Sequence, residues 1–310
     1  MDEVTPLLSV LIPTWNRVDE VVRAVDSVGF WGDEVEIVVV DNASPPELFD
    51  RLAAAVGCLP QVRLFRNDSN LGMVRNWNRC IEHARGEWQG LLCSDDVYTP
   101  DGIARALALL RTLSEPALVI QTPELTQEEQ RLSAGPTTVA GLGLPIASGN
   151  FWHRTVSATL VGFDERFEYS ADAEFWYRVA ATFPVVKVRQ PFARYNIHGD
   201  NYMWATWERP DFLAQTELLA RTVQCHCHGE GWSRSPEAER QLADDLWRTV
   251  STILSNTALR SGKGQLFLRY LAEAVRMAGR GGRRGELLLL LGALCRDRVK
   301  LALKRALGRA

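Results

Sequence analysis

The chain has 310 residues, a formal net charge of −3 and an apolar fraction of 46%. Length and composition predict a globular protein with one large domain and a smaller appendage, and the charge gives no indication of a nucleic-acid partner. No secretory signal is recognisable, and the longest apolar run, Leu287–Cys295, is too short to cross a bilayer. We therefore expect a cytoplasmic protein.

The cysteines favour a reducing compartment. There are six of them, unevenly spaced, and they do not form a disulfide framework. The run Cys225–His228 is rich in cysteine and histidine, but it lacks the usual ligand spacing of a zinc site and a second ligand pair nearby. We do not predict a structural zinc ion there.

Strand-like and helix-like patterns alternate through the N-terminal part of the chain. The predicted strands are Leu7–Thr14, Val35–Val40, Val62–Phe65, Trp88–Leu92 and Leu118–Gln121. Between them lie helical patterns, namely Arg17–Val28, Pro46–Val56, a helix with Met73, Trp77 and Ile81 on one face, and a helix with Ile103, Leu107, Leu110 and Leu113 on one face. This alternation predicts an α/β fold with a mostly parallel, Rossmann-like sheet and helices on both faces.

Polar residues follow the first four predicted strands. They are Pro13–Arg17, Asp41–Asn42, Asn67–Asn70 and Asp95–Asp96. Because ligands bind beyond the carboxyl ends of parallel strands, we expect these residues to line one site. Neither a dinucleotide fingerprint nor a P-loop is present. The two aspartates can instead hold a divalent cation and the diphosphate that it carries, or they can cap and turn the chain into the next helix.

Six segments together resemble a known family. They are SVLIPTWNR, VVVDNAS, NDSNLGMVRNWNRCIEHARGEW, LLCSDD, GFDERFEYSADAEFWYR and RYNIHGDN, in this order. The ordered set resembles the family 2 glycosyltransferases of the GT-A fold over roughly residues 7–201. The resemblance implies an inverting enzyme that moves a sugar from a nucleotide-diphosphate sugar, with UDP as the expected nucleotide, to a hydroxyl of a glycan or lipid-linked glycan. Assembly of cell-surface polysaccharide is the expected setting.

The resemblance also implies roles for individual residues. Those expected to contact the nucleotide are Pro13, Thr14, Asn16, Asp41, Asn70, Gly72, Arg75 and, at the ribose, Asp95. Those expected at a Mg²⁺ or Mn²⁺ ion are Asp96 and His198, and those expected in the acceptor cleft are Gly149, Asn150 and Trp152, the last with a place in the core as its alternative. Two positions depart from the family pattern, since Cys93 and Asn42 stand where further acids are common. Metal binding would then depend on Asp96, and base recognition on Asp41 alone.

A predicted helix, Ala171–Ala181, carries two acids near its start. Residues two apart point to different sides of a helix, so Asp172 and Glu174 cannot both face one cleft well. Glu174 and Arg178 are four residues apart in the favourable order and are predicted to pair. Asp172 is then free for chemistry, and the resemblance implies that it is the catalytic base. The alternative is that Asp172 only stabilises the helix N-terminus.

The remaining segments carry weaker signals. Thr122–Leu144 lacks periodicity and is expected to be irregular, either as a functional loop or as a disordered insertion. We expect a glycosyltransferase domain over residues 1–205 and a helical region over 206–310. The helical spans predicted there are Asp211–Cys227, Pro236–Arg260, Gln265–Met277 and Glu286–Leu307. The last span is amphipathic and basic, which suits an anionic membrane surface or packing against neighbouring helices.

Two other classes of function stay open. A nucleotidyltransferase would also use an acidic metal site on an α/β sheet, but it should carry a glycine-rich loop after the first strand, and TWNRVDE has no glycine. A catalytically inactive nucleotide-sugar-binding protein would keep the sheet and lose the base. Asp96 and Asp172 are both present, which favours an enzyme.

Overall fold

The computed structural model describes residues 4–143, 145–196, 206–228, 236–258 and 264–281, together with 286, 287 and 290. The chain forms two compact units. The first comprises residues 1–198 and 226–228, and the second comprises residues 199–225 and 229–310. The predicted site residues fall in the first unit.

The first unit contains ten strands and seven helices among its described residues. The strands are β1 (Leu8–Thr14), β2 (Val35–Asp41), β3 (Val62–Arg66), β4 (Trp88–Leu91), β5 (Val97–Tyr98), β6 (Leu118–Gln121), β7 (Glu129–Leu132), β8 (Asn150–His153), β9 (Val185–Val188) and β10 (Ala193–Arg194). The helices are α1 (Val18–Val28), α2 (Pro46–Val56), α3 (Met73–His83), α4 (Gly102–Leu110), α5 (Pro136–Ala140), α6 (Arg154–Leu160) and α7 (Ala171–Thr182).

Eight of the strands form one sheet, in the order β3-β2-β1-β4-β8-β6-β9-β7. The block from β3 to β4 is parallel, and β6 and β9 are also parallel to each other. Strand β8 runs antiparallel between β4 and β6, and β7 runs antiparallel to β9 at the edge. Strands β5 and β10 pair separately as a short antiparallel ribbon. The predicted α/β class with a mainly parallel sheet is confirmed.

The core explains why the central strands read as continuous apolar runs. Every residue of β1 and of β2 is buried, as expected for strands of a parallel sheet that is covered on both faces. Helix α1 buries Val18, Val21, Val25 and Val28 in the same hydrophobic cluster as Val10 and Ile12 of β1. These four valines recur at helical spacing and form the core-facing stripe of α1.

The expectation that Thr122–Leu144 is irregular was correct only in part. The segment contains β7 and the five-residue helix α5. Strand β7 is an edge strand of sequence EQRL that alternates between exposed and half-buried residues, so it carries no apolar run. Its pairing with β9 is a long-range contact that the local pattern does not encode.

The second unit is helical where it is described. Its helices are α8 (Phe212–His228, whose last three residues are assigned to the first unit), α9 (Pro236–Ala258) and α10 (Gly264–Gly281), and they begin within a residue of the predicted starts. Val250, Leu254 and Tyr270 are fully buried in its core. The predicted span Glu286–Leu307 lies almost wholly outside the described residues. Within the part of the chain that the structure describes, none of the helices combines the length and hydropathy needed to span a bilayer.

Candidate active site

Strand register brings the predicted polar residues to one edge of the sheet. Thr14 at the end of β1 is in register with Asp41 at the end of β2, and the amide of Asn42 donates to the Thr14 carbonyl at 2.8 Å. Strand β4 pairs with the other side of β1, so the loop that contains Asp96 leaves the sheet beside the loop after β1. Pro13, the neighbour of Thr14, is buried within β1.

Asp41 is buried and held by Ser44. The Ser44 hydroxyl donates to Oδ1 of Asp41, and the Ser44 amide donates to Oδ2 at 3.0 Å. The same hydroxyl accepts from the amide of Asn16 at 2.8 Å, and Nε of Arg66 lies 3.6 Å from Oδ2 of Asp41. Ser44 thus fixes Asp41 and joins the loops after β1 and β2. Sequence reasoning missed Ser44 and Arg66.

The two loops adopt strained backbone. Asn16 and Ala43 each have φ of 58°, a region in which non-glycine residues are uncommon and which clusters at functional sites. Trp15 lies next to Asn16 and is 52% exposed, which is unusual for so large an apolar side chain. Its ring offers an open aromatic face at the edge where a nucleobase is expected. This residue was also missed from sequence.

Asn42 explains one departure from the family pattern. Its Nδ2 donates to Oδ1 of Asn70 at 2.9 Å and to the carbonyl of Gly72 at 3.2 Å, while its Oδ1 accepts from Nδ2 of Asn67 and from the amide of Leu71. An aspartate here would set oxygen against oxygen at two of these contacts, because a carboxylate only accepts. The amide therefore fixes the Asn70–Gly72 turn against the loop after β2.

Gly72 and Arg75 lie at the start of α3. Gly72 has φ of 84°, which favours glycine, and it immediately precedes the first helical residue. Arg75 is exposed, and its Nε lies 2.6 Å from Oε2 of Glu165. Glu165 belongs to the GFDERF segment, so this ion pair joins α3 to the chain that leads into α7.

The acidic pair does not cap a helix. Asp95 and Asp96 precede the short strand β5, and the residue that precedes α4 is Asp101. Oδ2 of Asp95 accepts from Nη1 of Arg17 at 2.7 Å. Asp96 is only 1% exposed, and its Oδ2 accepts from Oγ of Ser148 at 2.5 Å while its Oδ1 accepts from the amide of Asn196 at 2.9 Å.

Asp172 is half-buried in the first turn of α7. Burial raises the pKa of Asp172 from 3.8 to about 6, against the smaller lowering effect of hydrogen bonds from backbone amides. A carboxylate whose main role is to stabilise a helix N-terminus would have a lowered pKa, because the amides and the dipole favour the anion. The observed direction instead suits a group that gives and takes a proton near neutral pH.

The predicted pairing of Glu174 is confirmed. Glu174 is 2% exposed, and its two carboxylate oxygens accept from Nε and Nη2 of Arg178 at 2.7 and 2.8 Å. Arg178 also donates to the carbonyls of Leu160 and Gly162. The two acids of this helix thus have different surroundings, and only Asp172 lacks an arginine partner among the ion pairs seen in the described residues.

The pKa of the Tyr195 hydroxyl is affected by three of the aspartates. It follows β10, its side chain is 39% exposed, and the next residue, Asn196, holds Asp96. Burial and then the negative charges of Asp96, Asp95 and Asp172, among others, raise the pKa of the Tyr195 hydroxyl.

Cys93 experiences the same charges. Burial, foremost, and the charges of Asp96, Asp95 and Asp172 hold the pKa of its thiol well above the ordinary value, so the thiol stays neutral. The charges of Asp95, Asp96 and Asp172 thus raise the pKa of both Tyr195 and Cys93, which is consistent with a location of the three carboxylates in the same region of the first unit. Tyr195 was not among the residues predicted from sequence.

The three residues expected in the acceptor cleft are buried. Asn150 and Trp152 are both 0% exposed, with Nε1 of Trp152 donating to Oε1 of Gln89 at 2.8 Å and its ring packed against Phe163 and Phe175. The expectation that Trp152 offers a platform to a sugar was therefore wrong, and its core alternative is correct. Asn150 is engaged with backbone groups, its Oδ1 accepting from the amide of Gln121.

Gly149 has a structural reason to be glycine. Its φ is 79°, and a Cβ there would lie 2.7 Å from Oε1 of Gln121 and 2.9 Å from Cβ of Ala193. We find no open surface on Gly149 or Asn150 for an acceptor. His198 lies outside the described residues.

The acidic pair offers carboxylate oxygens, which are ligands that divalent cations prefer. Within the described residues there is no cluster of three or more histidine, cysteine or acidic side chains that would hold an ion by themselves. Mg²⁺ and Mn²⁺ in nucleotide sites, however, are commonly held by one or two carboxylates plus phosphate oxygens and water. The Asp96 carboxylate fits an ion of this kind, because carboxylate oxygens are the ligands that these cations prefer and a diphosphate would supply further oxygens.

The mixed α/β sheet, with acids beyond the carboxyl ends of its parallel strands, has counterparts among solved structures. The fold is shared with TarS of S. aureus in complex with UDP-GlcNAc, at a TM-score of 0.61 and 14% identity, with 87% of this chain and 81% of that chain covered. It is also shared with the mannosyltransferase PcManGT of Pyrobaculum calidifontis in complex with GDP-Man and Mn²⁺, at a TM-score of 0.55 and 16% identity, with 96% and 87% covered. The fold is GT-A.

Residues 9–142, somewhat less than half of the chain, match the family model of glycosyl transferase family 2. The succinoglycan biosynthesis protein ExoO of Rhizobium meliloti is 36% identical over 105 residues, which are 33% of this chain and 29% of that protein. The putative colanic acid biosynthesis glycosyl transferase WcaA of Escherichia coli is 30% identical over 131 residues, which are 40% and 45%. The chain thus spans less than half the length of these relatives.

Proposed function

We propose that the protein is an inverting glycosyltransferase that moves a sugar from a nucleotide-diphosphate sugar to a hydroxyl of a glycan or lipid-linked glycan. The observation that carries this proposal is the sheet edge itself, where Asp41 ends β2 beside Thr14 of β1 and the buried Asp96 lies in the loop after the neighbouring β4. The negative charges of Asp95, Asp96 and Asp172 all raise the pKa of the Tyr195 hydroxyl, which agrees with this placement. One pair of acids suits a diphosphate and its cation, and the third, with its raised pKa, suits an acceptor hydroxyl. A nucleotide-binding protein without chemistry has no need of the third.

The relatives support the substrate class. ExoO and WcaA are named for the biosynthesis of succinoglycan and colanic acid, which favours a role in polysaccharide assembly. TarS was solved with UDP-GlcNAc, which favours UDP as the donor nucleotide, whereas PcManGT was solved with GDP-Man. We therefore propose UDP first and test both nucleotides.

Each end of the donor has a place along the edge. The nucleoside lies against the loops after β1 and β2, where Asp41 accepts from the base, and Thr14, Asn16 and the ring of Trp15 surround it. The Asn70–Gly72 turn and Arg75 border the nucleotide from the side of α3. Asp95, oriented by Arg17, accepts from the ribose hydroxyls. These loops are held by Ser44 and Asn42 before the donor arrives, which reduces the ordering cost of binding.

The chemical step is assigned to Asp172. Its carboxylate accepts the proton of an acceptor hydroxyl as that oxygen attacks C1 of the donor sugar from the face opposite the diphosphate. The C1–O bond to the diphosphate breaks in the same displacement, so the anomeric configuration inverts. Holding both substrates in one cleft supplies much of the remaining rate gain.

The cation would be Mg²⁺ or Mn²⁺, held by Asp96 and, in our proposal, by His198. When bound, it supplies positive charge that stabilises the departing diphosphate. Asp96 is suited to this role because its carboxylate is fixed by two hydrogen bonds before any ion binds. The nucleotide phosphates would supply further oxygen ligands.

A thermal-shift panel of UDP and GDP sugars, each with and without Mn²⁺, tests the proposal. We expect at least one nucleotide sugar to raise the melting temperature only when Mn²⁺ is present, because a ligand that binds only the folded state stabilises it. The same compound should then release its nucleoside diphosphate when candidate acceptors are added. If no nucleotide sugar shifts the melting temperature under either condition, the proposal is contradicted.

Membrane contact is proposed for the basic C-terminal segment. Basic residues run from Arg276 to Arg309 with few acids between them, next to the apolar run Leu287–Cys295. Deleting Glu286–Ala310 should reduce co-sedimentation with vesicles that contain anionic lipid, and high salt should have the same effect on the intact chain, because salt screens the attraction. Failure of the intact chain to co-sediment at low salt would show that this segment packs on protein instead.

A further inference from the structure

Ser148 joins the acidic loop to the middle of the sheet. It is 1% exposed, and its hydroxyl donates to Oδ2 of Asp96 at 2.5 Å while accepting from the amide of Cys93 at 2.9 Å. Its carbonyl accepts from Nε2 of Gln121 at 3.1 Å. One buried serine therefore holds both ends of the Cys93–Asp96 turn.

Gln121 connects the second hydrogen bond of Asp96 to the same network. It lies at the end of β6 and is 5% exposed, and its Oε1 accepts from the amides of Phe192 and Ala193 at 2.8 and 3.0 Å. That segment continues to Asn196, whose amide donates to Oδ1 of Asp96. Both oxygens of Asp96 are thus held by groups that Gln121 anchors.

Gly149 allows this arrangement. A side chain at position 149 would collide with Gln121 and with Ala193, so only glycine lets Ser148 and the β10 segment approach Gln121 together. We name the three residues Gln121, Ser148 and Asn196 the Asp96 clamp. Gln121 and Ser148 are buried, Asn196 contributes its backbone amide, and the three residues are far apart in sequence.

We propose that Ser148 is a positioning residue that fixes the Asp96 carboxylate for a cation-bound diphosphate, in a chain that has Cys93 where an additional acid is common in the family. This inference rests on the proposed function. With one carboxylate in place of two, the affinity for the ion depends on how well that carboxylate is oriented in advance. Partners that orient a metal ligand typically account for about 10- to 100-fold in metal affinity.

The proposal is tested without any turnover by measuring Mn²⁺ binding in the presence of UDP and, in a parallel experiment, of GDP. The electron paramagnetic resonance signal of free Mn²⁺ reports how much of the ion is bound. Ser148→Ala should weaken Mn²⁺ binding by about 10- to 100-fold. The matched control is Ser157→Ala, because Ser157 is also buried and its hydroxyl also donates to a side chain, Oε1 of Gln89 at 2.7 Å, away from the acids. This control should lose some thermal stability and keep the Mn²⁺ affinity of the wild type.

A double-mutant cycle separates positioning from general damage. In an Asp96→Asn background, Ser148→Ala should cause no further loss of Mn²⁺ affinity, because the two residues act through one carboxylate. If Ser148→Ala cannot be purified in folded form, Ser148→Cys replaces it, since a thiol fills the same space but donates only weakly, and a several-fold loss is expected. Wild-type affinity in either folded Ser148 variant overturns the proposal. If wild-type protein binds UDP without any Mn²⁺ dependence, the metal part of the proposed function fails as well.

Discussion

Asp172→Asn should abolish sugar transfer while the protein still folds and binds its donor. Asparagine keeps the size and much of the hydrogen bonding of the side chain but cannot accept the proton, and loss of a general base typically costs about 100- to 10,000-fold in rate. Transfer is measured as release of nucleoside diphosphate with donor, Mn²⁺ and acceptor, and donor binding by calorimetry. Unchanged binding with lost transfer is the expected result.

The raised pKa of Asp172 predicts how the rate and the stability of the protein depend on pH. Because the base must be ionised, the rate of the wild type should fall as the pH drops through about 6. Because folding raises this pKa, the folded state favours the protonated carboxyl. The free energy of unfolding of the wild type should therefore fall as the pH rises from about 4, the unfolded pKa, to about 6, the folded pKa. The asparagine variant should therefore be at least as stable as the wild type at neutral pH, and this advantage should vanish below the unfolded pKa of about 4.

Glu174→Gln is the matched control in the same helical turn. Glu174 is buried against Arg178, and removing one partner of a buried ion pair typically costs about 3–5 kcal/mol of stability. We expect a clearly lower melting temperature, with transfer per folded molecule largely retained. If Glu174→Gln abolishes transfer and Asp172→Asn spares it, the two acids have the opposite roles and the assignment of the base is wrong.

The second large effect is expected at Asp96. Asp96→Ala should eliminate the Mn²⁺ dependence of UDP binding, because the buried carboxylate is the described side chain best placed to hold the ion. Calorimetric titration of UDP with and without Mn²⁺ measures the effect directly. The variant should retain at most the weak, metal-independent affinity that the nucleoside contacts provide.

Asp101→Ala provides the control for Asp96→Ala. Asp101 is exposed, pairs with Arg105 and lies before α4, close in sequence to the acidic pair but without a contact to Asp96 among the described hydrogen bonds. It should leave UDP binding and its metal dependence unchanged. An Asp96→Ala variant that binds UDP with the Mn²⁺ dependence of the wild type would show that the acidic pair has another role.

The sequence was most informative where local patterns suffice. The apolar strands that end in Asp41 and Asp96 predicted a polar edge, since the carboxyl ends of parallel strands meet on one side. The pairing of Glu174 with Arg178 followed from helical spacing alone and is confirmed. These inferences need only nearest neighbours along the chain, which is why they could be made without coordinates.

The residues that sequence reasoning missed depend on contacts between distant segments. Ser148 is separated from Asp96 by 52 positions and Asn196 by 100, and a single serine or a backbone amide has no pattern of its own. Trp152 was considered for a sugar platform because aromatic rings serve both in cores and at binding sites, and only burial distinguishes the two. Tyr195 was overlooked because β10 pairs with β5, a contact that joins two short segments nearly a hundred residues apart.

The central claim is tested most directly by a structure of the protein with Mn²⁺ and an intact UDP sugar. A GDP sugar takes its place if the thermal-shift panel favours GDP. The account predicts the nucleoside against Asp41 and Trp15, the diphosphate and the ion at Asp96, and C1 of the sugar open towards the carboxylate of Asp172 on the face opposite the diphosphate. A donor bound elsewhere, or one whose C1 faces away from Asp172 with the diphosphate between them, would contradict it.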